Sequence, residues 1–361
     1  MNLEVAKSLF SKLGLRGALL DEALEELEFM ARYKYDHYEM YAPAGRFLEH
    51  LYRWLTQFDT PADREAALHF VRNDIIFISQ REMQDLARFL YYEQIVPRIL
   101  DKILEDSHLP PFAYGEAFKK FSHYLRRCLF VGLSDGAKID FFRRHNIDVS
   151  QEQVLPYYRT SAKDYIKALR EESGDESDKF WAVFLIDDFT GSGYTLLRQD
   201  VDPDTDQVRL SGSLERAYEE HKNIVDGASS LFLCEYVATH SAISRVRSLA
   251  QNARHYASKF DVLCPLVLPD EIGITPSAVG HDSTKSAIVA LCEKYYDDTF
   301  ETYNTRKGGG IQFGYGRHGL PLVLYSNTPN NSLYILWFST RPDAQPQFTP
   351  LFARIDRHKA L

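Results

Sequence analysis

Short, wholly apolar runs alternate along the middle of the chain with longer segments whose apolar residues recur at helical spacing. The clearest run is Phe180 to Ile186, seven apolar or aromatic residues bounded by charge on both sides. That length and its Val and Ile content predict a strand buried on both faces, as in a parallel sheet. Cys128 to Leu133, Ser230 to Val237 and Phe260 to Leu268 are runs of the same kind, and Gln153 to Tyr158 offers a further short strand. Helical patterns at Ile139–Arg144, Ala162–Arg170, Leu214–Asn223 and Ser241–Ala250 lie between them. Strands alternating with helices predict an α/β fold around a mostly parallel sheet with right-handed crossovers.

The first 108 residues carry the helical period alone. Leu20, Leu24, Leu27 and Ala31 share one face, as do Leu48, Leu51 and Leu55. Thr60-Pro61-Ala62-Asp63 is a helix start, with Thr as N-cap and Pro in the first turn. Ser79 to Glu82 is a capping box that opens a helix through Met83, Leu86 and Leu90 towards Pro97. Pro110 and Pro111 mark a linker, and Phe112 to Arg127 is amphipathic. Near the end, a helix at Ser286–Tyr296 precedes two apolar runs, Leu320–Tyr325 and Ser332–Phe338, joined by an Asn/Pro turn. A hairpin is the expectation there. The division expected is a helical region 1–108 (a cap or partner-docking module), an α/β domain 109–345, and a tail 346–361.

Composition narrows the partners. The 361 residues are 45% hydrophobic and 26% charged, with a formal charge of −9. That balance argues against a broad nucleic-acid surface, and the N-terminal helices show no basic recognition face of the kind a winged helix needs. Cys128, Cys234, Cys264 and Cys292 form no Cys-x-x-Cys pair, so buried free thiols in a reducing compartment are expected rather than zinc. No apolar run reaches membrane-spanning length, and the first residues lack a signal-peptide core. A cytoplasmic location is the expectation.

The chemistry gathers at strand ends. Asp187 and Asp188 follow the Phe180–Ile186 run. The loop Thr190-Gly191-Ser192-Gly193-Tyr194-Thr195 comes next, and then the helix-compatible Leu196-Leu197-Arg198. A strand, acids, a loop of small and hydroxylated residues and a helix together make a phosphate seat, in which backbone N–H groups and hydroxyls face an anion. Its plain alternative is a strand-to-helix turn capped by acids. A second such loop, Ser134-Asp135-Gly136-Ala137-Lys138, follows the Cys128–Leu133 run. Gly132 to Gly136 is also a literal G-x-S-x-G, so a serine hydrolase with Ser134 as nucleophile is a rival. Asp261 or Asp270 with His281 or His318 would complete its triad. The acidic run 171–178 has the composition expected of a solvated loop. Asp200 to Asp206 lacks the Gly and Glu of a calcium loop, having Thr205 and Ser211 instead. Asn327, Asn330 and Asn331 are either turn residues or amides able to read a base edge.

The stretch Asp187 to Thr195 resembles the ribose-5-phosphate signature of the type I phosphoribosyltransferases. The resemblance implies that Asp187 and Asp188 face the ribose hydroxyls and that Thr190 to Thr195 wrap the 5′-phosphate. It also implies that Ser134 to Lys138, after an earlier strand, take the pyrophosphate, with Lys138 supplying charge. Magnesium is the implied cofactor, in contact with Asp187 and Asp188 at most indirectly, and phosphoribosyl diphosphate or a nucleotide is the implied ligand. Together with FVRNDIIFIS, FLYYEQIVPRIL and the tail YGRHGLPLVLYSNTPNNSLYILWF, the loops resemble phosphoribosyltransferase-like effectors of bacterial conflict systems, including retron-associated and other anti-phage modules. That resemblance implies an effector that modifies or depletes a nucleotide, or transfers phosphoribosyl to a target. Two positions depart from the family: Tyr194 stands where Gly is frequent, and Gly191 stands where purine-type members carry a general base. A non-catalytic nucleotide sensor, signalling to a partner through the helical region, is the alternative from another class.

Overall fold

The computed structural model describes the chain apart from residues 42, 44, 147, 157–161, 202–207, 254–259, 281, 302–304, 307–308, 341–346 and 356–361. Ten strands occur among the described residues: β1 (Ile76–Ile78), β2 (Cys128–Gly132), β3 (Val154–Pro156), β4 (Phe180–Thr190), β5 (Arg198–Val201), β6 (Val208–Ser211), β7 (Val225–Thr239), β8 (Phe260–Leu263), β9 (Leu266–Leu268) and β10 (Leu322–Leu324). The chain divides into two units, one of residues 1–82 and 270–361 and one of residues 83–269.

The unit 83–269 is built on a parallel sheet of order β3-β2-β4-β7-β8, with β9 also pairing β7. Four apolar runs supply every strand of the sheet except β3, as their pattern predicts. On one face, Leu129, Val131, Val183, Leu185 and Leu233 pack with Ile166, Leu214 and Val246 from the helices Ala162–Ser173, Ser213–His221 and His240–Gln251. On the other, the rings of Phe130, Phe184 and Phe232 stack across three adjacent strands, with centroids 5.2 and 4.7 Å apart. Phe142, from the helix Ile139–His145, closes on Phe130 at 5.5 Å. Both faces are therefore covered, the condition under which strands can be apolar throughout.

Proline breaks two elements of this unit. The run Phe260–Leu268, expected as one strand, is two, β8 and β9, with Pro265 between them because it has no N–H for the ladder. The helix towards Pro97 continues to Asp106, but residues Leu90–Ile95 widen into a π-helical turn just before Val96–Asp106. A ring without an amide cannot complete the α register, and the wider turn absorbs that loss.

In the other unit, the helix Pro61–Asn73 opens on the expected box: Asp63 N donates to Thr60 Oγ1 at 3.1 Å, and Thr60 N to Asp63 Oδ2 at 3.3 Å. The Ser79–Glu82 box also forms, with Ser79 N donating to Glu82 Oε2 at 2.8 Å and Glu82 N to Ser79 Oγ at 3.2 Å. Phe352 is fully buried among the rings of Tyr35, Tyr38, Tyr41, Phe47 and Phe77. The hairpin expected between residues 320 and 338 is absent. β10 pairs in parallel with β1, Ile76 opposite Leu322, and Tyr334–Trp337 is a helical turn. Trp54 Nε1 donates to Ile335 O at 2.7 Å, and Trp337 Nε1 to Ser332 O at 2.9 Å. Leu333 to Leu336 are buried on every side, so the run carries no period to separate strand from helix.

The Phe184 ring is central to the aromatic stack. Phe184→Ala is expected to lower unfolding free energy by about 3–5 kcal/mol, measured by urea denaturation with an unchanged m-value.

Candidate functional site

In a sheet of this order the chain runs outward in opposite directions from β2 and β4, so the crevice beyond their carboxyl ends is the topological switch point, where such folds bind ligands. Both small-residue loops leave from that point. The register that aligns Gly132 with Ile186 carries Leu133 N to Ile186 O at 2.8 Å. One step on, Ser134 Oγ donates to Asp187 Oδ1 at 2.5 Å and accepts from Gly136 N at 3.0 Å. The structure thus brings Ser134 and Asp187, predicted from stretches 53 residues apart, into direct contact. Asp135–Ala137 form a tight 3-10 turn, and Lys138 leaves it in the left-handed region at φ 43°, a conformation that costs a lysine energy.

β4 is longer than its apolar run. Pairing with β7 continues through Asp187–Glu235 and Phe189–Val237 to Thr190–Ala238, so both acids and Thr190 lie in the strand rather than after it. Asp187 Oδ1 also accepts from Asp188 N at 3.0 Å, and Asp188 Oδ1 from Phe189 N at 2.9 Å. Both side chains are half-buried.

No helix follows the loop, contrary to the expectation at Leu196-Leu197-Arg198. The one α-type bond, Leu197 N to Gly193 O at 3.0 Å, is followed directly by β5, which pairs antiparallel with β6. Arg198 is drawn into that ribbon opposite Ser211 and ion-pairs with Asp200 at 3.1 Å. The loop therefore has no helix dipole of its own behind it. Two of its amides are turned inward: Gly193 N donates to Thr190 Oγ1 at 3.2 Å and Tyr194 N to Ser192 Oγ at 3.3 Å. The N–H groups of Ser192 and Thr195 find no acceptor among the described residues. Those are the donors an anion could take.

What holds the loop is the helix His240–Gln251. Gly193 sits at φ 66°, where a Cβ would come within 2.9 Å of Val246 Cγ2 and 3.0 Å of Ala242 O. Buried Thr239, at the end of β7, donates its hydroxyl to Gly191 O at 2.7 Å and accepts from Ala242 N at 3.1 Å, capping the helix and tying down the loop together. Nothing in the sequence singles out Thr239, since its partner lies 48 positions away.

The other residue missed is Glu235. It pairs in register with Asp187, is fully buried, and has no hydrogen-bond partner at either carboxyl oxygen among the described residues. Burial pushes its carboxyl well above the ordinary glutamate range, and the charges of Asp187 and Asp188 push it further. Both effects favour the neutral acid over the carboxylate. A lone glutamate inside the run Leu231-Phe232-Leu233-Cys234-Glu235-Tyr236-Val237 was the available signal. Cys128, Cys234 and Cys292 are buried and Cys264 half-buried, all four free, and burial pushes the Cys264 thiol up to about 12.

The remaining residues fall elsewhere or act locally. Ser134 has an extended backbone, φ −152°, unlike the strained turn of a nucleophile elbow, and its hydroxyl partner is a carboxylate. Asp261 is engaged by Arg98 at 3.1 Å and Arg247 at 3.3 Å. Asp270 and His318 belong to the other unit, and His281 lies outside the described residues; of the acidic stretch Asp200–Asp206, Asp200 and Val201 lie in β5 and the rest falls outside the described residues. Asn327, Asn330 and Asn331 also belong to the other unit. Asn327 Oδ1 accepts from Thr328 N and Ile355 N, each at 3.0 Å, and Asn331 Nδ2 donates to Tyr315 O at 2.7 Å. Among the described residues no three His, Cys, Asp or Glu side chains form a group able to hold a metal ion, and no helix is long and apolar enough to cross a membrane.

The model of the PRTase-CE family matches residues 51–354, which span both loops and most of the chain. Neither the curated proteins nor the solved structures contain a match.

Glu235 sets a pH dependence of stability. Its folded-state value is raised, so below the ordinary glutamate range both states are protonated and nothing is lost. Above that range only the unfolded chain ionises, and stability falls by about 1.4 kcal/mol per pH unit until the folded group titrates. Glu235→Gln cannot titrate. Its thermal midpoint is expected to gain on the parent as pH rises above the ordinary glutamate range, and parallel melting profiles would refute the assignment.

Proposed function

The chain belongs to the PRTase-CE family, a phosphoribosyltransferase-like group, and from that premise we propose that the crevice between β2 and β4 binds phosphoribosyl diphosphate or a nucleotide. The Ser134–Asp187 hydrogen bond carries this reading, because it makes neighbours of the loop assigned to pyrophosphate and the strand assigned to ribose. In the proposed complex the 5′-phosphate takes the N–H groups of Ser192 and Thr195, with Thr190, Gly191, Gly193 and Tyr194 shaping the loop. Asp187 and Asp188 accept from the ribose hydroxyls. The diphosphate lies along Ser134 to Lys138. Transfer breaks the bond between the anomeric carbon and the diphosphate oxygen and forms one to an acceptor atom, and the positive charge developing on the sugar is stabilised by the two carboxylates.

A magnesium ion fits this donor set as one held mainly by substrate phosphates with one or two carboxylates, which needs no all-protein cage. Asp187 and Asp188 are the residues that would approach it, and its chemistry there is neutralisation of the diphosphate.

We assign the protein to the nucleotide-directed effectors of anti-phage defence on the strength of the loop and tail sequences. The second reading, a nucleotide sensor without turnover, is favoured by Gly191, which leaves the loop without a general base. Titration calorimetry with phosphoribosyl diphosphate, together with mass spectrometry of products from a nucleotide pool, separates the two. Binding with release of pyrophosphate or a free base marks an enzyme, and binding alone marks a sensor. Asp187→Asn/Asp188→Asn is expected to weaken ligand binding by about 10-fold or more through loss of two charged acceptors. Unchanged affinity in a folded variant would overturn the site.

A further inference from the structure

The phosphate seat proposed above is short of positive charge. A sugar phosphate brings up to two negative charges to a loop that is followed by a strand rather than a helix, with two available N–H groups and with Asp187 and Asp188 close by. Two guanidinium groups approach the loop, both over the face of Tyr194. Arg198 lies 5.7 Å from the ring centroid and Arg245 5.2 Å. They differ in what else they touch. Arg198 is neutralised by Asp200 at 3.1 Å. Arg245 is exposed, and the ring of Tyr194 is its sole partner among the described residues. Its backbone is fixed on the helix His240–Gln251, between Ala242 and Val246, the two residues on which Gly193 packs. Through Gly193 and the Thr239 hydroxyl, that helix and the loop are one rigid piece.

We propose that Arg245 is the cation of the sugar-phosphate seat, held over the loop by the face of Tyr194. This rests on the reading of the loop given under the proposed function, and it gives Tyr194, which departs from the glycine frequent at that position, a task of its own. The ring attracts the guanidinium through its quadrupole and limits its rotamers, while the five N–H donors remain available to phosphate oxygens. The ligand class is a phosphomonoester on a ribose, recognised through its phosphate.

The test is calorimetric titration of the full chain with ribose 5-phosphate and, separately, with ribose, at two salt concentrations. Arg245→Ala is expected to lose about 10-fold or more in affinity for ribose 5-phosphate, and to show a weaker salt dependence. Its response to ribose should not change. Arg245→Lys should recover part of the loss, as a point charge without the planar fork. Tyr194→Phe should bind within about twofold of the parent, since the face is retained, whereas Tyr194→Leu should weaken binding several-fold. Arg245 is exposed, so a folded Arg245→Ala protein is expected, and its thermal midpoint verifies it. Affinity within twofold of the parent in that variant would overturn the role of Arg245 alone. Failure of the parent chain to take up ribose 5-phosphate would overturn the seat itself.

Discussion

One hydrogen bond, from the Ser134 hydroxyl to Asp187, organises the site. β2 and β4 are neighbours in the sheet, yet their loops leave in different directions, and nothing in a parallel ladder obliges the chain beyond the last pair to stay together. The contact between the loop after β2 and Asp187 of β4 supplies that constraint. It depends on register: a slip of one residue along β4 would turn Asp187 to the opposite face and leave Ser134 facing a different side chain. The apolar strands below are what prevent the slip, because the Phe130–Phe184–Phe232 stack forms in only one register. The hydrophobic core and the polar crevice are thus a single arrangement.

A second constraint is charge. Asp187 and Glu235 stand opposite each other in the ladder and Asp188 follows on the other face of β4, so the buried carboxyl lies under the influence of two further acids. That influence and burial together favour the neutral form of Glu235. Under the proposed reading, the acidic side of the crevice meets the ribose hydroxyls and the loop N–H groups meet the phosphates.

Much of the sheet was legible in the sequence, because strands covered on both faces must be apolar throughout, and such runs stand out between charged segments. The two loops were legible because small residues after a buried strand have few other uses. What escaped depends on partners far along the chain. The continuation of β4 through Asp188 and Thr190 follows from pairing with Val237 and Ala238, so local polarity misplaced the strand end. Leu196 and Leu197 look helical in isolation, but the pairing of Arg198 with Ser211 claims the next residues for a ribbon. The parallel match of Ile76–Ile78 with Leu322–Leu324 spans most of the chain and leaves no local mark. Glu235 was visible as an anomaly in an apolar run, though only the register shows that it lies beside Asp187.

The Thr239 hydroxyl, shared between the Gly191 carbonyl and the first turn of the following helix, has a consequence for recognition. A glycine-rich loop that had to order itself around each ligand would surrender conformational freedom at every encounter. Here the Thr239 hydroxyl and the packing of Gly193 restrict that freedom in advance. Uptake should resemble a key entering a finished lock, with little change in shape and a selectivity fixed by the spacing of a few rigid donors.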